Sequence, residues 1–547
     1  MTLPRKRNIN ATIICALLIG GYFYLWNHYA LNIPKWDDHA LKATILNYAK
    51  ADSFGQKIYE LYRQHNEHRI SLTRLVALID FGIFGTLNFK HLMLFGNLAL
   101  LLIGWLLVRF FRATVAPVWY ALPVVSLWFS LAFWENTFWG MAAIQNFWVV
   151  ALVLLAFWFV SQPDKQWGWA VLFAFCATFT SGNGLAVWPI GLAILLIQRN
   201  WRRTAWWLAA AIGCFGLYFY DYQSPADIAV GTATFGDWLR AFVLFSGALM
   251  EGVSIGNDPY QMPLWVGRLN LFVSVCLLIY LIRSYLKRHF ELSPNDYFYL
   301  GGTLFALATA VVVVYSRVGH NDYAAALTSR YKVYSALLLS LNVAYLTLLV
   351  SERFFRESLH VTFLVAATFI YVCNQHYHLY ETIMFRKFLI TSCLNDDLGV
   401  VPSLNGRLIY TPPALFIDRI PLTPADTTKA QPCVLQANKL QLSRRDYRLR
   451  DLRDGGLYLF LENKATLKKY LFPTQQARKH SFRNLLNYNQ FFIKGSTVSV
   501  SNPVQEAGTY RVLWLKYVPT GITFEPAACG EVVFAAAAPK KAVKTNW

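Results

Sequence analysis

The chain has 547 residues, 56% hydrophobic and 16% aromatic, with only 15% charged. Soluble domains carry about 25% charged and 45–50% apolar residues, so these proportions, with a mean hydropathy of +0.35, exclude a disordered chain, a coiled coil and an ordinary cytosolic globule. The net charge of +20 raises nucleic acid as a partner, but no basic stripe with interleaved aromatics follows, so none is expected and the excess reads as topology signal and lipid contact.

Arg5, Lys6 and Arg7 precede an apolar run without a small-residue cleavage site, which predicts an uncleaved first span. Windowed apolarity predicts a polytopic α-helical membrane protein with about eleven spans. They fall near 11–31, 91–109, 117–134, 145–161, 167–181, 185–198, 204–220, 265–283, 297–315, 333–350 and 359–374. Arg109 and Arg112, Lys165, Arg199 with Arg202 and Arg203, Arg283 with Lys287 and Arg288, and Arg353 with Arg356 fall in one alternating set of loops, together with the N-terminal trio. The positive-inside rule makes that face cytoplasmic. Residues 1–374 then form the transmembrane domain, with a first outer loop at 32–90, and residues 375–547 form an extracytoplasmic domain.

Nearly all acidic residues of the helical region fall on the opposite face: Asp37, Asp38, Asp52, Glu60, Glu67, Asp80, Glu135, Asp221, Asp227, Asp237, Glu251, Asp258 and Asp322. Acidic residues barely influence orientation, so this bias points to chemistry at the outer surface. The span centres carry essentially no ionisable side chain, whereas ion-coupled transporters and pumps need such groups near the midplane.

In the tail, alternation at Leu457–Leu461, Phe491–Ile493, Thr497–Val500 and Tyr510–Tyr517 predicts strands. Turn signals at Asp454-Gly455-Gly456, Lys494-Gly495 and Ala507-Gly508 separate them, giving a compact β-rich domain with a sandwich as one arrangement. Ala535–Trp547 reads as a flexible basic end. Cys15, Cys176, Cys214 and Cys276 lie in apolar spans as small core residues. Cys393, Cys433 and Cys529 lie in the tail, where a disulfide requires an oxidising compartment.

Four clusters carry candidate chemistry. Asp37 and Asp38, just past the first span, can act as general base or metal ligand, and equally as a helix N-cap. In Gln64-His65-Asn66-Glu67-His68-Arg69, followed by Arg74, Glu67 and Arg69 suit sugar hydroxyls and lipid phosphate, with His65 and His68 assisting. The alternative is a solvated, headgroup-contacting connector. Arg317, His320, Arg330 and Lys332 put positive charge on the outer face, against the orientation rule, which suits an anionic lipid or a phosphate leaving group; snorkelling anchors are the competing reading. Glu135 with Asn136, Gln145 with Asn146, and Ser181-Gly182-Asn183-Gly184 offer carboxamides and hydroxyls for a sugar, or caps for broken helices. Trp134, Trp139, Trp148, Trp188 and Trp265 can stack on sugar rings or form an interfacial belt.

Trp36-Asp37-Asp38 after the first span, the long first outer loop, the span number and the outer tail together resemble the GT-C superfamily of membrane glycosyltransferases, which use polyprenyl-phosphate-linked sugars. The resemblance includes aminoarabinose, mannose and arabinofuranose transferases, and it places the chain in a bacterial cytoplasmic membrane with its C-terminal domain in the periplasm. It implies a polyprenyl-phosphate sugar donor and a glycan, lipid or protein acceptor. Asp37 or Asp38 would be the base of an inverting transfer. Arg317, His320, Arg330 and Lys332, with Arg69 and Arg74 next, would hold the lipid phosphate, while Glu67, His65, His68, Glu135 and Asn183 would meet the sugar or acceptor. Some members use a divalent metal ion and others none, so this resemblance leaves metal dependence open. A lipid-linked glycan flippase or transporter, or an oligosaccharide polymerase or ligase, are the alternatives from other classes.

Overall fold

The structure is a computed structural model describing residues 3–111, 118–162, 165–223, 233–253, 258–395, 403–421, 433, 435, 439–448, 451, 453–478, 492–501 and 507–535. Arg112, Asp227 and the basic end beyond Ala535 lie outside the described residues, as do the side chains of Arg5, Lys6, Arg7 and Lys165. The protein is a polytopic α-helical membrane protein with a β-rich C-terminal region. Two compact units divide the chain: Met1–His28 with Trp36–His378, and Tyr29–Lys35 with Leu379–Trp547.

Eight described helices are long and apolar enough to cross a membrane, including Asn8–Tyr29, Phe89–Phe111, Gln261–Lys287 and Pro294–Arg317. Three further predicted spans are helical but shorter or more polar: Gly168–Thr178, Gly182–Ile197 and Trp201–Phe219. Two glycines permit close helix contacts. A Cβ on Gly96 would sit 2.3 Å from that of Ala143, and one on Gly191 would sit 2.3 Å from the Trp207 ring.

Uncharged polar side chains join the helices inside. Asn342 Nδ2 donates to Asn270 Oδ1 at 2.7 Å and Tyr299 donates to Asn342 Oδ1 at 2.8 Å. These bonds satisfy polar groups that would otherwise be stranded in an apolar interior, without placing an ion there.

The first outer segment is built from short, capped pieces. The turn Trp36–Asp38 leads into helix His39–Lys50, and Ser53 with Gln56 forms a capping box for helix Phe54–Tyr62. A two-residue ladder pairs His65 with His68 around Asn66, which has a φ of +48°. Helix Ser71–Phe84 follows and ends at left-handed Gly85. The segment Val118–Thr137 is a series of short helical turns, and Gly140–Ser161 contains a π-turn at Ile144–Trp148.

The last helix runs unbroken from Arg353 to Asn395, well past the expected span end near 374. Two sheets follow in the second unit. One orders Gly521–Phe534, Gly508–Val518, Gly456–Asn463 and Lys469–Pro473; the other orders Lys439–Arg444, Phe492–Ser501 and Gln475–Arg478. Both bury side chains in one core, where Leu440, Val498 and Val500 of the smaller sheet meet Leu459, Tyr510 and Trp514 of the larger. The expected turn at Lys494-Gly495 lies inside a strand instead: Gly495 takes a φ of +124° and donates its N–H to the Tyr447 carbonyl at 2.8 Å, so pairing continues past it. Cys433 and Cys529 form a disulfide closing a 96-residue separation, and Cys393 takes no part in it.

Candidate functional site

The two neighbouring aspartates have separate roles. Asp38 is fully buried, and its Oδ1 accepts the Met141 N–H at 2.8 Å, so it caps the helix that starts at Gly140. Asp37 is about one-third exposed and faces His65, with 3.9 Å between Oδ1 and Nε2. His65 is buried and lies near Arg74, His68 and Arg63; burial first, then those neighbours, push its pKa down to about 3. It is a neutral imidazole beside Asp37.

Glu67 meets Arg317 in an ion pair, and its carbonyl accepts hydrogen bonds from Tyr218 and Tyr222, both at 3.3 Å. This contact joins the first outer segment to the end of helix Pro294–Arg317. His68 stands beside Glu67, and its Nδ1 is buried with no hydrogen-bond partner among the described residues. Burial lowers the His68 pKa, with Arg317 and Arg330 acting in the same direction. A Cβ on Gly182 would lie 2.6 Å from that nitrogen, so the Ser181–Gly184 break makes room for the histidine.

The basic segment docks on the turn at Glu135. Ser329 Oγ accepts the Glu135 N–H at 3.2 Å and donates to the Ala132 carbonyl at 2.8 Å. Asn136 Nδ2 donates to the Arg330 carbonyl at 3.0 Å. Arg330 Nε lies 3.5 Å from Glu135 Oε2 and is buried without a hydrogen bond among the described residues. The guanidinium covers the Trp139 ring at 5.3 Å, and Trp139 meets Trp36 edge-on at 5.8 Å. Trp139 thereby brings the carboxylate segment and the basic segment to one place.

Arg69 and Arg74 are drawn elsewhere. Arg69 is buried and donates to the carbonyls of Tyr62, Tyr218 and Tyr220, with Nε–O of 2.5 Å at Tyr218. Arg74 donates to the carbonyls of Leu61, Arg63 and Gln64, at 3.4 Å to Leu61 and Gln64. Both bind carbonyls at or just after helix ends, where such groups lack intrahelical partners; in this geometry they are positioning residues. Lys332 is buried in an ion pair with Glu251, with His378 Nε2 at 3.2 Å and Tyr377 donating to Glu251 at 3.4 Å. Asn183 donates to Tyr334 at 2.6 Å and Thr309 at 3.3 Å.

His320 Nδ1 lies 3.0 Å from Asp237, which also accepts from Tyr323 at 2.7 Å and from the Thr234 N–H and hydroxyl at 2.9 and 2.8 Å. The Tyr323 bond, followed by those from Thr234 and His320, holds the Asp237 carboxyl well below the usual range. Asp237 anchors the loop that follows Arg317. Its sequence signal was the spacing Thr234-x-x-Asp237, a capping box. Trp36 entered the sequence reading only as the first residue of Trp36-Asp37-Asp38, because a tryptophan near an apolar run otherwise reads as an interfacial anchor. No group of three or more His, Cys, Asp or Glu side chains among the described residues could hold a metal ion. The cluster does not fit a metal, and no step is derived through one.

No protein-family model and no curated protein matches the chain. The solved structure of ArnT from Cupriavidus metallidurans in the apo state aligns over 70% of each chain, at 15% identity and a TM-score of 0.39. Fold and site define a multi-pass helical membrane protein whose paired carboxylates and guanidinium groups gather where the spans end.

Proposed function

We propose that the protein is an inverting membrane glycosyltransferase. It moves a single sugar from a polyprenyl-phosphate carrier to an acceptor hydroxyl at the outer face of a bacterial cytoplasmic membrane. The observation carrying this reading is Arg330: a guanidinium clasped by Glu135 and Trp139, with a buried Nε making no hydrogen bond among the described residues, in the constellation that contains Asp37. A phosphate oxygen would satisfy that donor, and guanidinium groups suit phosphate by charge and geometry.

Asp37 takes the proton from the acceptor hydroxyl as that oxygen bonds to the anomeric carbon. The bond from that carbon to the carrier phosphate breaks opposite, its electron pair leaving on the phosphate, and configuration inverts. Arg330 and Arg317 hold the departing phosphate, so the chemistry relies on electrostatic stabilisation more than on a general acid. Asp38, which caps the helix at Gly140, fixes the turn that presents Asp37. The Cys433–Cys529 disulfide supports an oxidising, extracytoplasmic location for the C-terminal unit and, with the basic loops, an N-terminus in the cytoplasm.

The test uses sealed proteoliposomes with radiolabelled polyprenyl-phosphate sugars and a membrane extract as acceptor source. The expected product is one sugar heavier by mass spectrometry, and Asp37→Asn should slow its formation by about 10²- to 10⁴-fold. Full activity in that variant, or label crossing the bilayer with no covalent product, would overturn the assignment.

A further inference from the structure

Trp36 differs from the other exposed tryptophans. Trp105, Trp169, Trp201, Trp206 and Trp265 are also exposed, but each sits on a regular helix, as an interfacial anchor can. Trp36 is 60% exposed in a turn, with a φ of +40°. A bulky L-residue rarely adopts that left-handed backbone, and such strain persists only where the surroundings enforce it. An anchor needs no such conformation. The enforcing contacts include Trp139, set at 88° to the Trp36 ring, and the buried Asp38 cap two residues on.

The strained turn sets the Trp36 indole, one residue before Asp37, edge-on against Trp139, whose ring carries Arg330. Base, phosphate-binding cation and an exposed aromatic ring therefore share one constellation. Sugar rings present C–H-rich faces, and an indole face attracts their slightly positive hydrogens while excluding water from them. We propose that Trp36 is the sugar platform of this site: it stacks on the transferred ring and determines which sugars are presented to Asp37. The proposal rests on the glycosyltransferase reading and adds the residue that recognises the carbohydrate.

Saturation-transfer difference NMR on the full chain in nanodiscs, with methyl glucoside, galactoside, mannoside and arabinoside as probes, tests it. Wild-type protein should saturate the ring protons of at least one glycoside. Trp36→Ala should reduce that signal by about tenfold, Trp36→Phe should retain most of it, and Trp206→Ala, which removes an exposed helical tryptophan, should leave it unchanged. No saturation of any probe by wild type, or equal saturation by Trp36→Ala with a wild-type melting curve, would overturn the platform. If Trp36→Ala melts early, Trp36→Phe decides: retained signal supports the platform, and a loss equal to that in the alanine variant overturns it.

Asp37→Asn separates this inference from the reading beneath it. It should keep glycoside saturation while losing transfer. Trp36-dependent saturation together with full transfer in Asp37→Asn would sink the proposed base and leave the platform standing.

Discussion

The two sheets of the second unit and the helices of the first are held together differently. In the sheets, twelve buried apolar and aromatic side chains among the described residues form the core, and surface ion pairs such as Lys464–Glu531 and Arg444–Glu525 stay partly in water. In the helical unit, Arg69, Arg74 and Lys332 are buried, each held by carbonyls or a carboxylate. Burying an ion is costly unless it is paired and hydrogen-bonded. The buried cations therefore fix the chain ends and turns they bind, whereas the core of the sheets rests on apolar burial.

The largest effect expected from this contrast lies in the β-rich unit, which relies on a covalent staple. Closing the 96-residue separation between Cys433 and Cys529 is worth about 4.7 kcal/mol in the chain-entropy picture. Cys433→Ser should melt that unit early in thermal unfolding while leaving the helical content seen by circular dichroism intact. A simultaneous collapse of both units would break the contrast.

Next comes Arg69→Met. It strands the carbonyls of Tyr62, Tyr218 and Tyr220 without their donor, and a loss of about 3 kcal/mol is expected from chemical-denaturation midpoints. A near-neutral result would mean that water reaches those carbonyls.

The third is pH dependence. His65 titrates near 6.5 when unfolded and is pushed down to about 3 by burial in the fold. The unfolded chain therefore binds the extra proton between those values, so stability is full above about pH 6.5 and falls on acidification. The expected loss is about 2 kcal/mol between pH 7 and 5. His39, pushed down to about 4 by burial, acts with the same sign. His65→Gln should flatten the melting profile over that range; an unchanged slope would show that the titration lies elsewhere. The smallest effect is Lys464→Ala on the sandwich surface, expected to stay within about 1 kcal/mol by the same denaturation measurement.

The helical architecture was largely legible in the sequence because transfer into hydrocarbon is a property of composition: a charge-free apolar run announces itself without its neighbours. The strand at Gly508–Val518 was legible for a related reason, since alternation specifies one buried face. Gly495 misled because a glycine inside a paired strand and a glycine in a turn look alike without the partner strand. Within the site, the residue types were readable and their partners were not. Asp37 and Asp38 are chemically identical, and their surroundings in the fold, the Met141 N–H at Asp38 and His65 at Asp37, distinguish cap from candidate base.

Composition and periodicity determined that this chain spans a membrane and carries a β-rich tail, because burial of apolar surface depends on the local order of side chains. Tertiary structure decided which arginines bind backbone, which meet a carboxylate, and that Trp36 stands against Trp139. Those assignments depend on the positions of groups distant in sequence, since an ion or hydrogen-bond donor takes its role from the atoms within about 3 Å of it.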